Sequence, residues 1–373
     1  MKIAVFHNFI DNIGGAEMVT LYLAKELDAD IYTTNIDFEK IKKMGFEDII
    51  SRIKSIGKIP KMAPFRHQIA LWKFRKLNLG KQYDFYIISG DWAMSGAVNN
   101  HPNMWYVHGP INELWIFKDY VRNNMMTWWK RPVFDMWVYL NRRLTLKYSK
   151  YVNTWICNSN NTKEKINRYY NANAVVINPP IDISRYNSSA ARKQLQNFWL
   201  SVNRLSAPKR IEMQMKAFKM LSEEKLMIVG SYEKDTKQFE DYKKYIESIK
   251  PNNVEIISWV DSEKLTELYN TCKGFITTAR DEDFGMTAVE AMISGKPVIA
   301  PNEGGYKETI IDGVTGILID DINENRLAGS IKKINIELKS NPNKYKEDCI
   351  KQAQKFDVSE FIRKIKQEIE SYK

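Results

Sequence analysis

Cysteine is scarce in this 373-residue chain: Cys157, Cys272 and Cys349 lie far apart, and no C-x-x-C pair occurs. That spacing excludes a disulfide framework and a thiolate zinc site, and a reducing cytosol is the expected compartment. Long apolar runs are missing too. No stretch reaches the ~18 uninterrupted apolar residues that a bilayer-spanning helix needs, so any membrane contact is expected to be peripheral. Residues 1–9, M-K-I-A-V-F-H-N-F, hold an apolar run too short for a signal-peptide core and read as a first strand. No G-x-G-x-x-G follows that strand, which argues against NAD. D-F-G occurs at 283–285 without V-A-I-K or H-R-D, so a kinase is not indicated. The basic charge comes with no RNP, helix-turn-helix or finger pattern, and nucleic acid is not an expected partner.

The chain has the composition of a folded globular protein, with 44% hydrophobic and 27% charged residues. Its length suits two domains of about 150 to 200 residues. The net charge of +11 is unevenly spread: residues 52–81 carry nine Lys or Arg and no acid, and residues 115–150 carry eight bases against two acids. The rest of the chain sums to −4. Trp72, Phe74, Trp115, Trp128, Trp129, Phe134 and Trp137 are interleaved with the basic segments, a composition suited to an anionic headgroup surface. A solvated basic face over aromatic core residues is the competing interpretation.

Short apolar strands alternate with helical patterns throughout, which predicts parallel sheets covered on both faces. Strands are expected at K-I-A-V-F-H, D-I-Y-T-T, D-F-Y-I-I-S, M-W-Y-V-H, T-W-I-C-N and A-V-V-I-N, with helices over about 16–27 and 163–170. The prolines of N-P-P-I-D, residues 178–182, mark a linker. A second series follows: F-W-L-S-V, L-M-I-V-G, V-E-I-I-S, G-F-I-T-T, P-V-I-A and G-I-L-I-D, with helices starting near Lys209, Asp235, Ser262, Gly285 and Tyr306. The expected fold is therefore α/β, with two Rossmann-like doubly wound domains, 1–182 and 183–357, facing a central cleft. An amphipathic helix over 358–373 is expected to pack back on the first domain. Ligands of such sheets bind beyond the carboxyl ends of the strands.

The most informative stretch is D-E-D-F-G-M-T-A-V-E, residues 281–290. A strand ends just before it, and a helix closed by Gly295 and Pro297 starts at Gly285. Helix N-terminal amides are unpaired and partly positive, which favours a phosphate, and Gly285 leaves room for close approach. Glu282 before the helix and Glu290 one turn inside it place two carboxylates at different depths to accept hydrogen bonds from hydroxyls. A sugar joined through phosphates to a ribose has such hydroxyls. The helix terminus supplies only ~0.3 to 1 kcal/mol, or ~2 when partly buried, too little to neutralise a diphosphate alone. Arg204 and Lys209, directly after the F-W-L-S-V strand, can add charge-assisted bonds of ~1.5 to 3 kcal/mol each. Gly304 and Gly305 in E-G-G-Y-K-E-T offer a second set of amides.

Glu282-x7-Glu290 enclosing F-G, R-L-x-x-x-K, G-G-x-x-E-T-I-x-D-G-x-T-G, Asn158-Ser159 and P-P-I-D together resemble the retaining glycosyltransferases of the GT-B fold, family 4, over nearly the whole chain. E-D-F-G-M-T, V-N-R-L followed by K-R-I-E, and Y-V-H-G-P with a long basic-aromatic helix look most like mannosyltransferases of lipid-linked polysaccharide assembly. The resemblance implies retaining, metal-independent transfer of a hexosyl group, mannose from GDP-mannose, to a lipid-linked or polysaccharide glycan. It assigns no cofactor and no metal. It implies that Glu282 contacts the donor sugar, Glu290 the ribose, Arg204 with Lys209 the diphosphate, and His108 the sugar, with Asp283, Phe284, Met286 and Thr287 around the donor. Gly14, Gly15 and Glu17 match the loop that in the family faces donor phosphate and acceptor. Base readout is expected near Trp259 and Val260.

The chain departs from the family at Asn203 and Arg210, where glycines are usual. Asp281 and Asp283 also spell D-x-D, the metal-binding pair of the other glycosyltransferase fold, but that fold has one nucleotide-binding domain. The expected location is cytoplasmic, peripheral on the inner face of the plasma membrane, through 52–81 and 115–150. A nucleotide-sugar epimerase and a sugar-nucleotide-binding protein without turnover are the alternatives.

Overall fold

In the computed structural model, which describes residues 1–61, 65–186, 196–232, 237–258 and 260–372, the apolar runs form thirteen strands in two all-parallel sheets. The first sheet contains β1 (Ile3–Phe6), β2 (Asp30–Thr33), β3 (Ile53–Ser55), β4 (Phe85–Ile88), β5 (Asn103–Val107), β6 (Thr154–Cys157) and β7 (Val175–Val176). Its order is β3-β2-β1-β4-β5-β6-β7. Every residue of β1, β4 and β5 is buried, as expected of central strands with helices on both faces, whereas β3 buries only Ile53. Around this sheet lie α1 (Gly15–Glu26), α2 (Phe38–Lys43), α3 (Phe65–Lys76), α4 (Lys118–Tyr120), α5 (Arg131–Ser149) and α6 (Asn160–Tyr170). Ser159 caps α6 by accepting from the Thr162 amide at 3.0 Å.

The second sheet contains β8 (Trp199–Val202), β9 (Leu226–Val229), β10 (Val254–Ile257), β11 (Gly274–Ile276), β12 (Val298–Pro301) and β13 (Gly316–Ile319), in the order β10-β9-β8-β11-β12-β13. Its helices are α7 (Ile211–Lys219), α8 (Lys237–Ile249), α9 (Ser262–Thr271), α10 (Met286–Ile293), α11 (Tyr306–Thr309), α12 (Glu324–Ser340) and α13 (Lys346–Ala353). Asp235, where the α8 pattern was expected to begin, lies outside the described residues. The chain divides into two units, Met1–Pro180 with Ser359–Lys373, and Ile181–Val358. The last helix, α14 (Val358–Glu370), buries Phe361, Ile362, Ile365 and Ile369 on one face. Phe361 meets Tyr106 of β5 edge-to-face at 5.7 Å, and Tyr372 lies 5.4 Å from Phe85 of β4.

The basic-aromatic segment departs from one long helix. It runs through the short turns of 118–125 and 128–130 before α5 starts at Arg131 with Pro132 in its first turn, where a proline tolerates the missing amide. Its aromatics also divide. Phe74 and Phe134 are core residues and Trp115 and Trp137 are half-buried, so only Trp72, Trp128 and Trp129 of the interleaved set are exposed.

Candidate functional site

In the second unit the strand ends gather the expected residues. β11 continues through Thr277 and Thr278 into the Asp281–Gly285 loop, and α10 begins directly after it. Lys209 ends a short turn after β8, and its Nζ sits 2.5 Å from Glu282 Oε2, across 73 residues of sequence. Both side chains are about one quarter exposed, so their charges remain reachable. The Thr278 hydroxyl donates to the Lys209 carbonyl at 2.7 Å, and the Arg280 amide donates to the Pro208 carbonyl at 2.9 Å, which fastens the two loops together.

Arg210 shows why a glycine is usual at its position: its φ is +51°, in the left-handed region. An L-residue there costs about 1 to 2 kcal/mol. The Arg210 guanidinium offsets this by donating to the Thr278 carbonyl at 2.6 Å, the Ala279 carbonyl at 3.2 Å and the Glu303 carboxylate. Asn203 requires no such offset, because it lies outside the left-handed region and its side chain donates to Ser201 Oγ at 2.8 Å.

The glycines serve the loop first. Gly285 has φ +90°, and a Cβ there would lie 2.5 Å from the Tyr306 ring, so the close approach it permits is internal. The Tyr306 hydroxyl meets Thr277 Oγ1 at 2.7 Å. The expectation for Gly305 is corrected: its amide donates to the Glu282 carbonyl at 2.7 Å and is already committed. Phe284 buries its side chain against Phe356 at 5.2 Å, which leaves its backbone to face a donor. Met286, Thr287 and Asp283 are half-buried around the α10 N-terminus.

Glu290 projects from α10 and accepts from the Tyr269 hydroxyl at 2.8 Å. Burial raises its carboxyl above the ordinary value, opposed by Tyr269, Arg185 and Tyr186. Sequence spacing gave no sign of these partners, which come from α9 and from the segment after the linker. Arg204 is exposed at the end of β8 and Val260 is half-buried against the core, while Trp259 lies outside the described residues.

In the first unit His108 follows β5, and its Nε2 lies 2.8 Å from Ser89 Oγ at the end of β4. The Asn158 side chain donates to the His108 carbonyl at 2.6 Å. His7, at the end of β1, was not among the expected site residues, yet its Nδ1 lies 3.1 Å from Thr20 Oγ1, which in turn lies 2.8 Å from Ser89 Oγ. Gly14 precedes α1 with extended backbone, Gly15 opens the helix, and Glu17 is buried.

Burial lowers His7 to about 4, and burial together with the neighbouring His7 lowers His108 to about 3. Unfolded histidine takes up its proton near 6.5, so below that pH the unfolded chain binds more protons than the folded one and stability falls. For His7, only 4% exposed, a depression from 6.5 to about 4 corresponds to on the order of 3 kcal/mol, lost as the pH drops through that window. Denaturant midpoints measured from pH 7 to pH 4 are expected to fall steeply, and His7→Gln is expected to flatten the profile.

The comparisons with known proteins agree with this architecture. The family model described as Glycosyltransferase Family 4 matches residues 13–185, and that described as Glycosyl transferases group 1 matches residues 182–356. The chain belongs to the GT-B glycosyltransferases and resembles the mannosyltransferases among them. A Klebsiella pneumoniae relative named "Uncharacterized 41.2 kDa protein in cps region" is 27% identical over 65% of this chain and 66% of its own length. The alpha-1,3/1,6-mannosyltransferase ALG2 of Kluyveromyces lactis is 25% identical over 83% of this chain and 71% of its own. The structure of Anabaena Alr3699/HepE in complex with UDP-glucose matches over 100% of both chains with a TM-score of 0.74 and 20% identity, which places the fold.

Proposed function

We propose that this chain is a retaining, metal-independent hexosyltransferase that moves mannose from GDP-mannose to a lipid-linked or polysaccharide glycan at the inner face of the plasma membrane. The observation that carries the reading is the Lys209–Glu282 pair beside the α10 N-terminus: a cation suited to a diphosphate and a carboxylate suited to sugar hydroxyls, held 2.5 Å apart. The similarity to ALG2 mannosyltransferases supports mannose as the sugar. HepE, by contrast, is a structure with UDP-glucose, which makes the base a matter for experiment.

As the glycosidic bond breaks, negative charge grows on the departing diphosphate and positive charge on the sugar ring. Lys209, Arg204 and the α10 amides stabilise the first, which is preorganised electrostatic catalysis. Glu282 and His108 hold sugar hydroxyls, and Glu290 holds the ribose. The departing phosphate oxygen takes the acceptor's proton on the face it leaves, so the anomeric configuration is kept. Incubating the protein with GDP-mannose and a polyprenyl-diphosphate glycan in EDTA is expected to give a lengthened glycan with the donor's anomeric configuration. Free mannose alone, an inverted linkage, or sugar conversion without an acceptor contradicts the reading.

The membrane part of the proposal rests on α5 and the turn before it. Trp128 is 79% exposed, Trp129 59%, Val133 71%, Met136 58% and Leu140 50%. Residues 129, 133, 136 and 140 follow helical spacing and share one face with Arg143 and Lys147. No described helix is long and apolar enough to cross a membrane. Vesicles containing anionic lipid are expected to carry the protein upward in a flotation gradient. Since 1 M salt shortens the screening length to ~3 Å, it should release most of the protein. Changing Trp128 and Trp129 to Ala should reduce flotation at low salt as well. Equal binding to neutral vesicles contradicts the electrostatic part.

A further inference from the structure

We propose that Thr20 and Ser89 are positioning residues that hold His108 in one neutral tautomer, protonated on Nε2 with Nδ1 presented as an acceptor, and that the same chain of hydrogen bonds holds His7 in the opposite tautomer. Four contacts connect five groups from β1, α1 and the ends of β4 and β5: His108 Nε2 to Ser89 Oγ at 2.8 Å, Ser89 Oγ to Thr20 Oγ1 at 2.8 Å, His7 Nδ1 to Thr20 Oγ1 at 3.1 Å, and Thr20 Oγ1 to the Ala16 carbonyl at 2.8 Å. The Ala16 carbonyl can only accept, so it takes the single hydroxyl proton of Thr20. Thr20 must then accept from both of its other neighbours, Ser89 and His7, using its two lone pairs. Ser89 has now spent its own proton and accepts from His108. Each of the four bonds is supplied by one of the four available protons; the Ser89 backbone carbonyl also faces both rings and, as an acceptor only, can share a ring proton.

The setting keeps the count intact. Thr20 and Ser89 are fully buried and His7 nearly so, which limits the access of water to substitute for a partner. Both rings are neutral at pH 7, since burial lowers them to about 4 and about 3. The Asn158 bond to the His108 carbonyl fixes the backbone that carries the ring. A ring with an unprotonated Nδ1 accepts from a hydroxyl and offers nothing to a phosphate oxygen there, so this residue selects the sugar end of a donor. That last step rests on the transferase reading above; the tautomer does not.

The protein has four histidines, which makes the test direct. Long-range proton–nitrogen correlation spectra of the substrate-free, histidine-labelled protein at pH 7 are expected to show His108 protonated on Nε2 and His7 on Nδ1, the rarer form in free imidazole. In Thr20→Val, Ser89 loses its acceptor and can turn its proton toward His108, so a fraction of His108 is expected to move to the Nδ1-protonated form. Thr20→Ser keeps the hydroxyl and should match the parent spectrum. In the transfer assay Thr20→Val is expected to lower kcat about tenfold and Thr20→Ser much less. Pure packing predicts the reverse order, because Val preserves the shape of Thr better than Ser does. His7 protonated on Nε2, His108 protonated on Nδ1, or His108 signals unchanged in Thr20→Val would overturn the proposal, whatever the outcome of the transfer assay. The expected spectra together with absent transfer would leave the tautomers standing and refute only the transferase reading.

Discussion

Glu282→Gln is expected to reduce turnover by about 10² to 10³, the loss typical of removing one preorganised polar group from a transition-state site. Its effect on nucleoside diphosphate affinity should have the opposite sign or be absent. In the parent protein Lys209 Nζ is held 2.5 Å from the Glu282 carboxylate, and that attraction competes with any phosphate. An amide at position 282 releases the ammonium, so the diphosphate should bind at least as tightly while the sugar reacts slowly. Lys209→Met is expected to give the complementary result. Losing a charge-assisted bond of about 1.5 to 3 kcal/mol weakens diphosphate binding by about tenfold to a hundredfold. Turnover numbers and calorimetric affinities measured on both variants check the pair of predictions. A Glu282→Gln protein that loses diphosphate affinity and keeps its turnover would contradict the roles assigned to both residues.

Gly304→Ala and Gly305→Ala are expected to be strongly damaging small substitutions beside the carboxylate loop of the second unit. A Cβ on Gly304 would lie 2.4 Å from the Glu282 carbonyl oxygen and 2.8 Å from its amide, at a φ of +60°. On Gly305 it would lie 2.4 Å from the Asp283 carbonyl oxygen and 2.5 Å from the Phe284 Cα. These obstacles are backbone, so no side-chain rotation relieves them and the loop carrying Glu282 must move. Overpacking of this kind costs about 1 to 3 kcal/mol, and the left-handed residue at 304 adds about 1 to 2. Gly313→Ala is the control, since its φ is +74° but nothing lies within 4 Å of the added methyl. Thermal unfolding and turnover should show a modest stability loss at 313 with activity intact, and loss of both at 304 and 305. If the three variants behave alike, the two glycines do not support the carboxylate loop.

The strands were legible because parallel strands buried on both faces read as continuous apolar runs, and Ile3–Phe6, Phe85–Ile88 and Leu226–Val229 are such runs. β3 was not expected, because I-K-S at the sheet edge exposes Lys54 and Ser55 and sits in a basic stretch. The helix Glu324–Ser340 was not expected either, although Leu327, Ile331 and Ile334 fall at helical spacing. At the site, residue types and local order were readable: Glu282 before a helix, Glu290 inside it, Lys209 after a strand. What spacing could not reveal is who meets whom across the sheet. The Lys209–Glu282 pair, the Tyr269 hydroxyl on Glu290 and the line from His7 to His108 join segments 73, 21 and up to 69 residues apart at a single step. The same limit explains the aromatics of 115–150. Phe134 and Met136 lie two positions apart on one helix, and only packing against the first unit's core decides which is core and which is surface.

The central claim is that the second unit binds a nucleoside diphosphate through Lys209 and the α10 N-terminus. Calorimetric titration with GDP, UDP and ADP in EDTA tests it most directly. The account predicts that GDP binds most tightly at a single site and that Lys209→Met weakens it by about tenfold or more. No binding by any of the three, or GDP binding equally well to Lys209→Met, would contradict it.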